Sequence, residues 1–176
     1  MPYEERSACT APTVGGRTVE MIDGETLSPL KIGKENPKAK IVGLDSSEGM
    51  LRELKNKLPN IKIITGSFNN PENLKLKENY FDLVISTGAL SEYGSKKAFS
   101  LAYSVLKNDG ALVNVGIKKN IIGWIIGALA NFKPRGVKKI LKKLREVGFV
   151  DAEEVKIPWK FFPKNFSEFV VVAKKK

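Results

Sequence analysis

The stretch from Lys38 to Arg52 constrains the fold of this chain more than any other. A short apolar run, Ile41 to Leu44, ends on the carboxylate of Asp45, and the residues that follow, 46–48, have the polar pattern of a helix N-terminus. A buried strand followed by an acid and then by a helix is typical of a parallel α/β sheet, in which ligands bind beyond the carboxyl ends of the strands. The sequence therefore predicts that Asp45 lies at a ligand site.

The rest of the chain supplies further strands and helices for such a sheet. Strands are predicted at 17–22, 61–65, 80–86 and 111–117, and helices at about 27–36, 95–106 and 137–147. Two last strands, 149–157 and 166–173, are joined by a connection too short for a crossover helix, so we expect an antiparallel hairpin. Residues 1–16 are expected to form an N-terminal arm, and residues 17–176 a single domain.

Composition restricts the classes of function. The chain has 30 Lys and Arg against 19 Asp and Glu, a net charge of +11. An anionic partner such as nucleic acid is one explanation of this excess, and a lysine-rich solvated surface is another. The single cysteine, Cys9, excludes an internal disulfide. Because the chain has no histidine, His-based nucleophilic triads and the usual zinc sites are also excluded, and we predict no metal site.

No segment has the pattern of a signal peptide or a membrane span. The N-terminus lacks a basic-then-apolar layout, so a cytoplasmic location is expected. The longest apolar run, 121–132, is shorter than the ~20 residues that a spanning helix needs. A helix formed by this run would be apolar nearly all round. We favour core or a lid over an apolar substrate for it, with a dimer surface or an interfacial membrane helix as the alternatives.

Four segments resemble motifs of the class I S-adenosylmethionine-dependent methyltransferases. They are 41–51 with its acid-tipped strand, 65–68 after the third strand, 80–87, and 105–113, which is similar to the family's R-V-L-K-P-G-G-x-L-V. The resemblance covers nearly the whole chain, from Arg17 to Lys174. It implies a Rossmann-like, doubly wound, mostly parallel α/β sheet of about seven strands in the order 3-2-1-4-5-7-6, with the antiparallel hairpin at the C-terminus.

The resemblance also implies a site for S-adenosylmethionine. Asp45 would hold the ribose hydroxyls, and Ser67 and Phe68 would hold the adenine. The complete set of matching cofactor positions is Glu20, Gly24, Asp45, Ser46, Ser67, Phe68 and Thr87. The first loop departs from the family pattern E/D-x-G-x-G-x-G, since Ile22 and Thr26 stand where glycine is expected. Their branched Cβ atoms would strain a positive φ, so we expect weakened or altered cofactor binding.

Methyl transfer to a small molecule or RNA is the predicted reaction. Positioning supplies much of the rate of an in-line displacement at a sulfonium carbon, so a general base is optional. Glu92 and Tyr93, which follow the fourth strand, are the nearest candidates for a base or orienting group, but we favour an ordinary surface loop as the interpretation of this segment. The aromatic residues of 159–162, which are interleaved with lysines, could stack nucleic-acid bases or pack against the chain's own sheet.

A non-catalytic binding or scaffold protein is the rival prediction. The departures at Ile22 and Thr26 and the short N-terminal arm favour a fold that has lost its cofactor loop, whereas Asp45 and the later motifs favour the enzyme. On balance the sequence favours the enzyme. A dinucleotide-binding oxidoreductase fits poorly, because of the reversed final hairpin and the segment from Gly66 to Phe68.

Overall fold

The computed structural model describes residues 17–21, 38–129, 131–159 and 164–176. The strands in these ranges are β1 (Arg17–Met21), β2 (Lys40–Asp45), β3 (Lys62–Thr65), β4 (Phe81–Thr87), β5 (Leu106–Ile117), β6 (Val150–Val155) and β7 (Glu168–Lys174). The helices are α1 (Glu48–Lys57), α2 (Lys96–Val105), α3 (Ile121–Leu129), α4 (Val137–Val147) and α5 (Lys164–Ser167). The predicted arm at 1–16 and the predicted helix at about 27–36 lie outside the described residues.

The strands form one seven-stranded sheet in the order β3-β2-β1-β4-β5-β7-β6. Every neighbouring pair from β3 to β5 is parallel, whereas β7 is antiparallel to both β5 and β6. The predicted strand order and the reversed C-terminal hairpin are therefore confirmed. A parallel sheet needs helical cover on both faces, which explains why the central strands β2 and β4 are largely apolar and buried.

Helices pack on both faces of the sheet, as the doubly wound prediction requires. On one face Ile41 of β2 and Leu58 pack against the buried cluster of Leu54 of α1 and Ile61. Val42 and Leu44 alternate with Ile41 along the strand, and they belong to the core shared with Phe99 of α2 and Ile140 and Leu144 of α4. Each fully buried side chain of this size contributes about 1.5–3 kcal/mol of hydrophobic stabilisation.

Capping residues mark the ends of the predicted helices. The Ser47 hydroxyl accepts a hydrogen bond from the Met50 N–H and begins α1, and Ser95 does the same with Ala98 at the start of α2. Helix α4 ends at Gly148, whose φ of 114° places it in the left-handed region that glycine adopts without strain.

Two segments after β4 differ from the sequence prediction. Residues Ala89–Tyr93, expected as a loop, form a π-helix. Strand β5 begins at Leu106, five residues earlier than expected, because Leu106 pairs with Phe81 before the register shifts. The Asp109 N–H then bonds to the Lys175 carbonyl, so residues 108–110, which follow the predicted helix, belong to the first part of β5.

The interpretation of 121–132 as core is wrong. Helix α3 forms as expected, but its large apolar side chains, among them Ile121, Trp124, Ile125 and Leu129, are exposed. Trp159, in the connection between the last two strands, is also exposed and contacts the ring of Phe166. The prediction that the connection's aromatics pack on the chain's own sheet therefore fails for Trp159; Phe161 and Phe162 lie outside the described residues.

Candidate functional site

The carboxyl ends of four parallel strands meet at one edge of the sheet. Asp45 ends β2 and pairs with Thr65 at the end of β3, while Met21 of β1 pairs with both Leu44 and Ser86. Asp45 directly follows Leu44, and Thr87 directly follows Ser86. Asp45 and Thr87 therefore lie on either side of the end of β1. Because adjacent strands lie about 4.8 Å apart, the two backbones bound a crevice about 10 Å wide. Open α/β sheets bind ligands in a crevice of this kind.

Asp45 is a buried carboxylate at this edge. Its residue is only 6% exposed, and its Oδ1 accepts a hydrogen bond of 2.6 Å from the Ser47 backbone N–H. Among the described residues no lysine or arginine forms an ion pair with it. A buried carboxylate that lacks a cation retains unused acceptor capacity, which a ligand hydroxyl can take up.

The environment of Asp45 acts on its pKa in two directions. Burial raises the pKa above its ordinary value, while hydrogen bonds from the backbone N–H groups of Ser47 and Ser46 lower it. Burial is the larger effect, so the net pKa of Asp45 is raised. The carboxylate form of Asp45 is therefore disfavoured by its surroundings. Perturbed pKa values of this kind are more common in functional sites than in structural ones.

Ser46, Ser67 and Phe68 lie on the loops next to Asp45. Ser46 is exposed directly after β2. The Gly66 N–H bonds to the Asp45 carbonyl at 2.9 Å, which holds the start of the β3 loop beside β2. Ser67 is half-buried, its hydroxyl accepts a hydrogen bond from the Asn69 N–H, and Phe68 packs against the main core. The structure thus brings Ser46, Ser67 and Phe68 to the same edge as Asp45.

A tight turn carries the chain away from β4. Thr87 is buried, Gly88 follows it with a φ of 76°, and the Gly88 N–H bonds to the Val115 carbonyl at 2.9 Å. The hydroxyl of Ser86 accepts a hydrogen bond from the Leu90 N–H, which fixes the start of the π-helix. Helices of this type occur frequently at functional sites. The backbones of Glu92 and Tyr93 lie in this π-helix, and their side chains lie outside the description.

Two predicted cofactor positions belong to the first strand and its loop. Glu20 pairs with Gly43 and Ile85, one residue before the end of β1. The Glu20 side chain, Gly24, and the departures at Ile22 and Thr26 lie outside the described residues. Their assignment remains a prediction.

Asn114 is a polar residue that the sequence reasoning did not single out. It lies in β5 opposite Ser86, it is fully buried, and neither its amide nitrogen nor its oxygen has a hydrogen-bond partner in the described part of the chain. The only sequence signal is an asparagine between two valines of an apolar strand. Such a group costs about 1–3 kcal/mol when it stays unpaired.

An open groove of about 610 Å³ lies beside α2, away from Asp45. Its lining comes from residues 71–78 and from one side of α2, between Lys96 and Val105. None of the predicted cofactor residues contributes to it, so we do not assign the cofactor there. Among the described residues there is also no cluster of metal-ligating side chains, and no helix is long and apolar enough to cross a bilayer.

Curated proteins with similar sequences include methyltransferases. The chain is 29% identical over 154 residues to the ubiquinone/menaquinone biosynthesis C-methyltransferase of Campylobacter jejuni, covering 87% of this chain and 60% of that protein. It is 31% identical over 137 residues to an uncharacterised protein of Methanocaldococcus jannaschii, covering 76% and 52%. The chain thus spans between half and two thirds of the length of these relatives.

Solved structures share the fold. Phosphoethanolamine N-methyltransferase 2 of Haemonchus contortus, solved with S-adenosyl-L-methionine, superposes with a TM-score of 0.73 at 15% identity, covering 94% of this chain and 50% of that one. The sequence model of a family described as "Methyltransferase domain" matches residues 23–110, which is half of the chain. The chain therefore belongs to the methyltransferase domain family, and its fold is that of the class I S-adenosylmethionine-dependent enzymes.

Proposed function

We propose that this protein is an S-adenosylmethionine-dependent methyltransferase whose cofactor lies in the crevice over β1. The observation that carries the proposal is Asp45, a buried carboxylate without a cationic partner in the described residues, at the carboxyl end of β2. The family supports the reaction class, and the Haemonchus enzyme binds the same cofactor in the same fold.

The residues at the crevice fit an adenosyl group. The Asp45 carboxylate interacts with the backbone N–H groups of Ser46 and Ser47, and because a carboxylate has about four acceptor positions, acceptor sites are left for the two hydroxyls of a ribose. Ser67, at the next loop, offers a hydroxyl, and Phe68 offers an apolar ring beside it. Ser46 lies beside Asp45, and Thr87 lies across the crevice from it. We assign adenosine recognition to these side chains, and methionyl recognition to Glu20 and Gly24.

When bound, S-adenosylmethionine supplies a methyl group activated by its sulfonium charge. The acceptor's electron pair would form the new bond to the methyl carbon as the carbon–sulfur bond broke, and sulfur would keep the pair of the broken bond. The protein's task is to hold the two reactants in line and to exclude water. Glu92 and Tyr93 are proposed as orienting groups or as the acceptor of a released proton, because their backbones lie directly beyond β4.

We propose a small-molecule acceptor with an apolar body. The exposed apolar helix α3 directly follows the carboxyl end of β5, at the cofactor edge of the sheet. The Campylobacter relative is named for methylation at carbon in ubiquinone and menaquinone biosynthesis, which is consistent with this class. RNA is the second candidate, favoured by the exposed ring of Trp159 in a strongly basic chain.

Calorimetric titration with S-adenosylhomocysteine tests the cofactor site. We expect micromolar binding by the wild-type protein and a loss of about tenfold to a hundredfold in Asp45→Ala, because hydrogen bonds to a charged group contribute about 1.5–3 kcal/mol. Asp82→Ala is the matched control. Asp82 is also a strand aspartate, but it pairs with Lys107 at 2.5 Å and lies near the amino end of β4.

The titration also separates the enzyme from the scaffold alternative. If the folded wild-type protein shows no binding, the first loop has lost the cofactor and the enzyme proposal is wrong. Equal affinity of the wild type and Asp45→Ala for S-adenosylhomocysteine would instead show that the cofactor does not bind in this crevice. Once binding is established, transfer of a labelled methyl group to total RNA or to a lipid-soluble extract distinguishes the two acceptor classes.

A further inference from the structure

Helix α3 packs on the protein through its smallest residues. Gly123 and Gly127, four residues apart, are its buried positions. A Cβ atom at Gly123 would lie 1.8 Å from the Lys118 carbonyl oxygen, and one at Gly127 would lie 2.6 Å from the Phe132 carbonyl oxygen. The glycines therefore let the helix lie directly on the backbone of its own flanking segments, and no larger side chain would fit there.

The largest apolar side chains of α3 point away from the protein. Ile121, Ile125 and Leu129 repeat every four residues on the side opposite the glycines. Ile121 is 80% exposed and Leu129 is 85% exposed. A surface helix of a soluble domain normally has the reverse arrangement, with its apolar stripe towards the core. Exposure of a whole stripe of this kind marks an interaction surface.

A second segment extends this surface. Trp159, which is 70% exposed, contacts Phe166 edge-on with ring centroids 5.3 Å apart. The side chain of Asn120 joins the two parts, since its amide donates to the Phe166 carbonyl at 2.7 Å and its oxygen accepts from the Gly123 N–H at 2.8 Å. We call the exposed residues Ile121, Trp124, Ile125, Leu129, Trp159 and Phe166 the apolar surface.

Exposed lysines flank helix α3 at both ends, and the surrounding segment carries no acid. Residues 110–145 contain nine Lys and Arg and no Asp or Glu. Helix α3 itself carries no charge, and the exposed side chains of Lys119 and Lys133 lie just before and just after it. An uncharged helix with large apolar and tryptophan side chains outward and lysines at both ends fits the boundary between lipid headgroups and acyl chains.

We infer that the apolar surface docks on an anionic lipid bilayer, with α3 lying in the interface. At nine residues the helix is about 13.5 Å long, too short to span a bilayer but suited to lying in its surface. Insertion would bury Ile121, Ile125 and Leu129 among acyl chains, and Lys119 and Lys133 would contact anionic headgroups. This inference rests on the surface alone and does not depend on methyl transfer.

A second copy of the chain fits the same surface poorly. Pairing of two such surfaces about a two-fold axis would bring the exposed lysines that flank α3 in one copy, Lys119 and Lys133, towards those of the other copy. Like charges at an interface oppose association. An anionic bilayer satisfies both the apolar and the cationic parts of the surface, whereas a copy satisfies only the apolar part.

Vesicle flotation combined with tryptophan fluorescence tests the inference. The chain has two tryptophans, and Trp124 and Trp159 both belong to the apolar surface. Intrinsic emission therefore reports on this surface specifically. We expect the wild-type protein to float with vesicles of phosphatidylcholine and phosphatidylglycerol, with a blue shift of emission, and to bind pure phosphatidylcholine vesicles at least about tenfold more weakly.

Two double variants separate the apolar and cationic contributions. Ile121→Ser with Leu129→Ser should weaken vesicle binding by more than about tenfold, because it removes two large apolar groups from the interface. Lys119→Gln with Lys133→Gln should weaken binding by up to about thirtyfold and reduce its salt dependence. Ile63→Ser is the matched control, since Ile63 is an exposed isoleucine on β3, at the opposite edge of the sheet.

Three outcomes would overturn the inference. The first is no flotation of the folded wild-type protein at low salt. The second is flotation of the wild-type protein without a blue shift, together with unchanged flotation of both double variants. The third is a wild-type dimer in sedimentation velocity that Ile121→Ser with Leu129→Ser converts to a monomer, with no vesicle binding by either. Thermal melting of each variant establishes that it is folded, and the lysine pair leaves the apolar packing untouched.

Discussion

At the scale of single residues, two opposing effects act on the pKa of Asp45. Burial raises its pKa and disfavours the carboxylate, while the N–H groups of Ser46 and Ser47 favour it. Because the folded protein binds a proton at Asp45 more tightly than the unfolded chain does, the free energy of unfolding contributed by this group decreases as pH rises through its raised pKa. Asp45 thus lowers the stability of the ligand-free protein at neutral pH, which is consistent with a residue kept for binding.

Asp45→Asn separates stability from binding. The amide oxygen of asparagine can still accept the Ser47 N–H, and the variant has no buried charge, so we expect its ligand-free form to unfold at a temperature equal to or above that of the wild type near neutral pH. This advantage should shrink as the pH falls through the raised pKa of Asp45. Affinity for S-adenosylhomocysteine should fall about tenfold or more. A lower melting temperature near neutral pH would show that the carboxylate is structural.

At the scale of elements, the π-helix after β4 depends on a close backbone approach. A Cβ at Gly94 would lie 2.2 Å from the Leu90 carbonyl oxygen. The Gly94 carbonyl in turn accepts hydrogen bonds from Arg135 at 2.6 Å and from Lys143 at 3.2 Å, which links this turn to the start and the middle of α4. The turn that positions Glu92 and Tyr93 is thus held from both sides.

Gly94→Ala should therefore destabilise the protein or open the turn. We expect a loss of about 1–3 kcal/mol in the free energy of unfolding, because the new methyl group meets a backbone atom that cannot move freely. Gly136→Ala is the control, since nothing lies within 4 Å of a Cβ at that position, and we expect a change within about 0.5 kcal/mol. Urea unfolding of both variants measures the difference; equal effects would contradict the close approach at Gly94.

At the scale of the whole molecule, the penultimate residue ties the C-terminus to the middle of the chain. Lys175 is 8% exposed, and its ammonium group donates to the Asn79 side chain and to the Leu106 carbonyl, both at 2.8 Å. It also lies over the ring of Tyr103. Its backbone bonds with Asp109 and Gly110 extend the pairing of β5 with β7. The end of the chain thus links β5, α2 and the segment that precedes β4.

Lys175→Met should cost more than its position near the terminus suggests. The substitution leaves the Asn79 oxygen and the Leu106 carbonyl without their donor, so we expect a loss of about 1–3 kcal/mol in the free energy of unfolding. Lys176→Met removes the same charge from an exposed neighbour and should change stability by less than about 0.5 kcal/mol. Denaturant titration of Lys175→Met and Lys176→Met shows whether the hydrogen bonds of Lys175 or only its charge contribute to the free energy of unfolding.

The sequence by itself determined the order of the sheet and the place of Asp45. The strand order followed from the resemblance of four segments to the class I methyltransferases, and the antiparallel hairpin followed from a connection too short for a crossover helix; the structure has both. The capping residues Ser47, Ser95 and Gly148 were also predictable, because capping depends on local backbone geometry.

Only the tertiary structure decided which side of α3 faces the protein. Its residues are apolar nearly all round, so hydrophobic periodicity carries no direction, and the outcome depends on the close approach of Gly123 and Gly127 to flanking backbone. The early start of β5 and the amide of Asn114, which has no hydrogen-bond partner among the described residues, have a similar origin. The start of β5 depends on pairing with Phe81, and the environment of Asn114 depends on the buried face of the sheet. Both involve residues distant in the sequence, which a local sequence pattern does not encode.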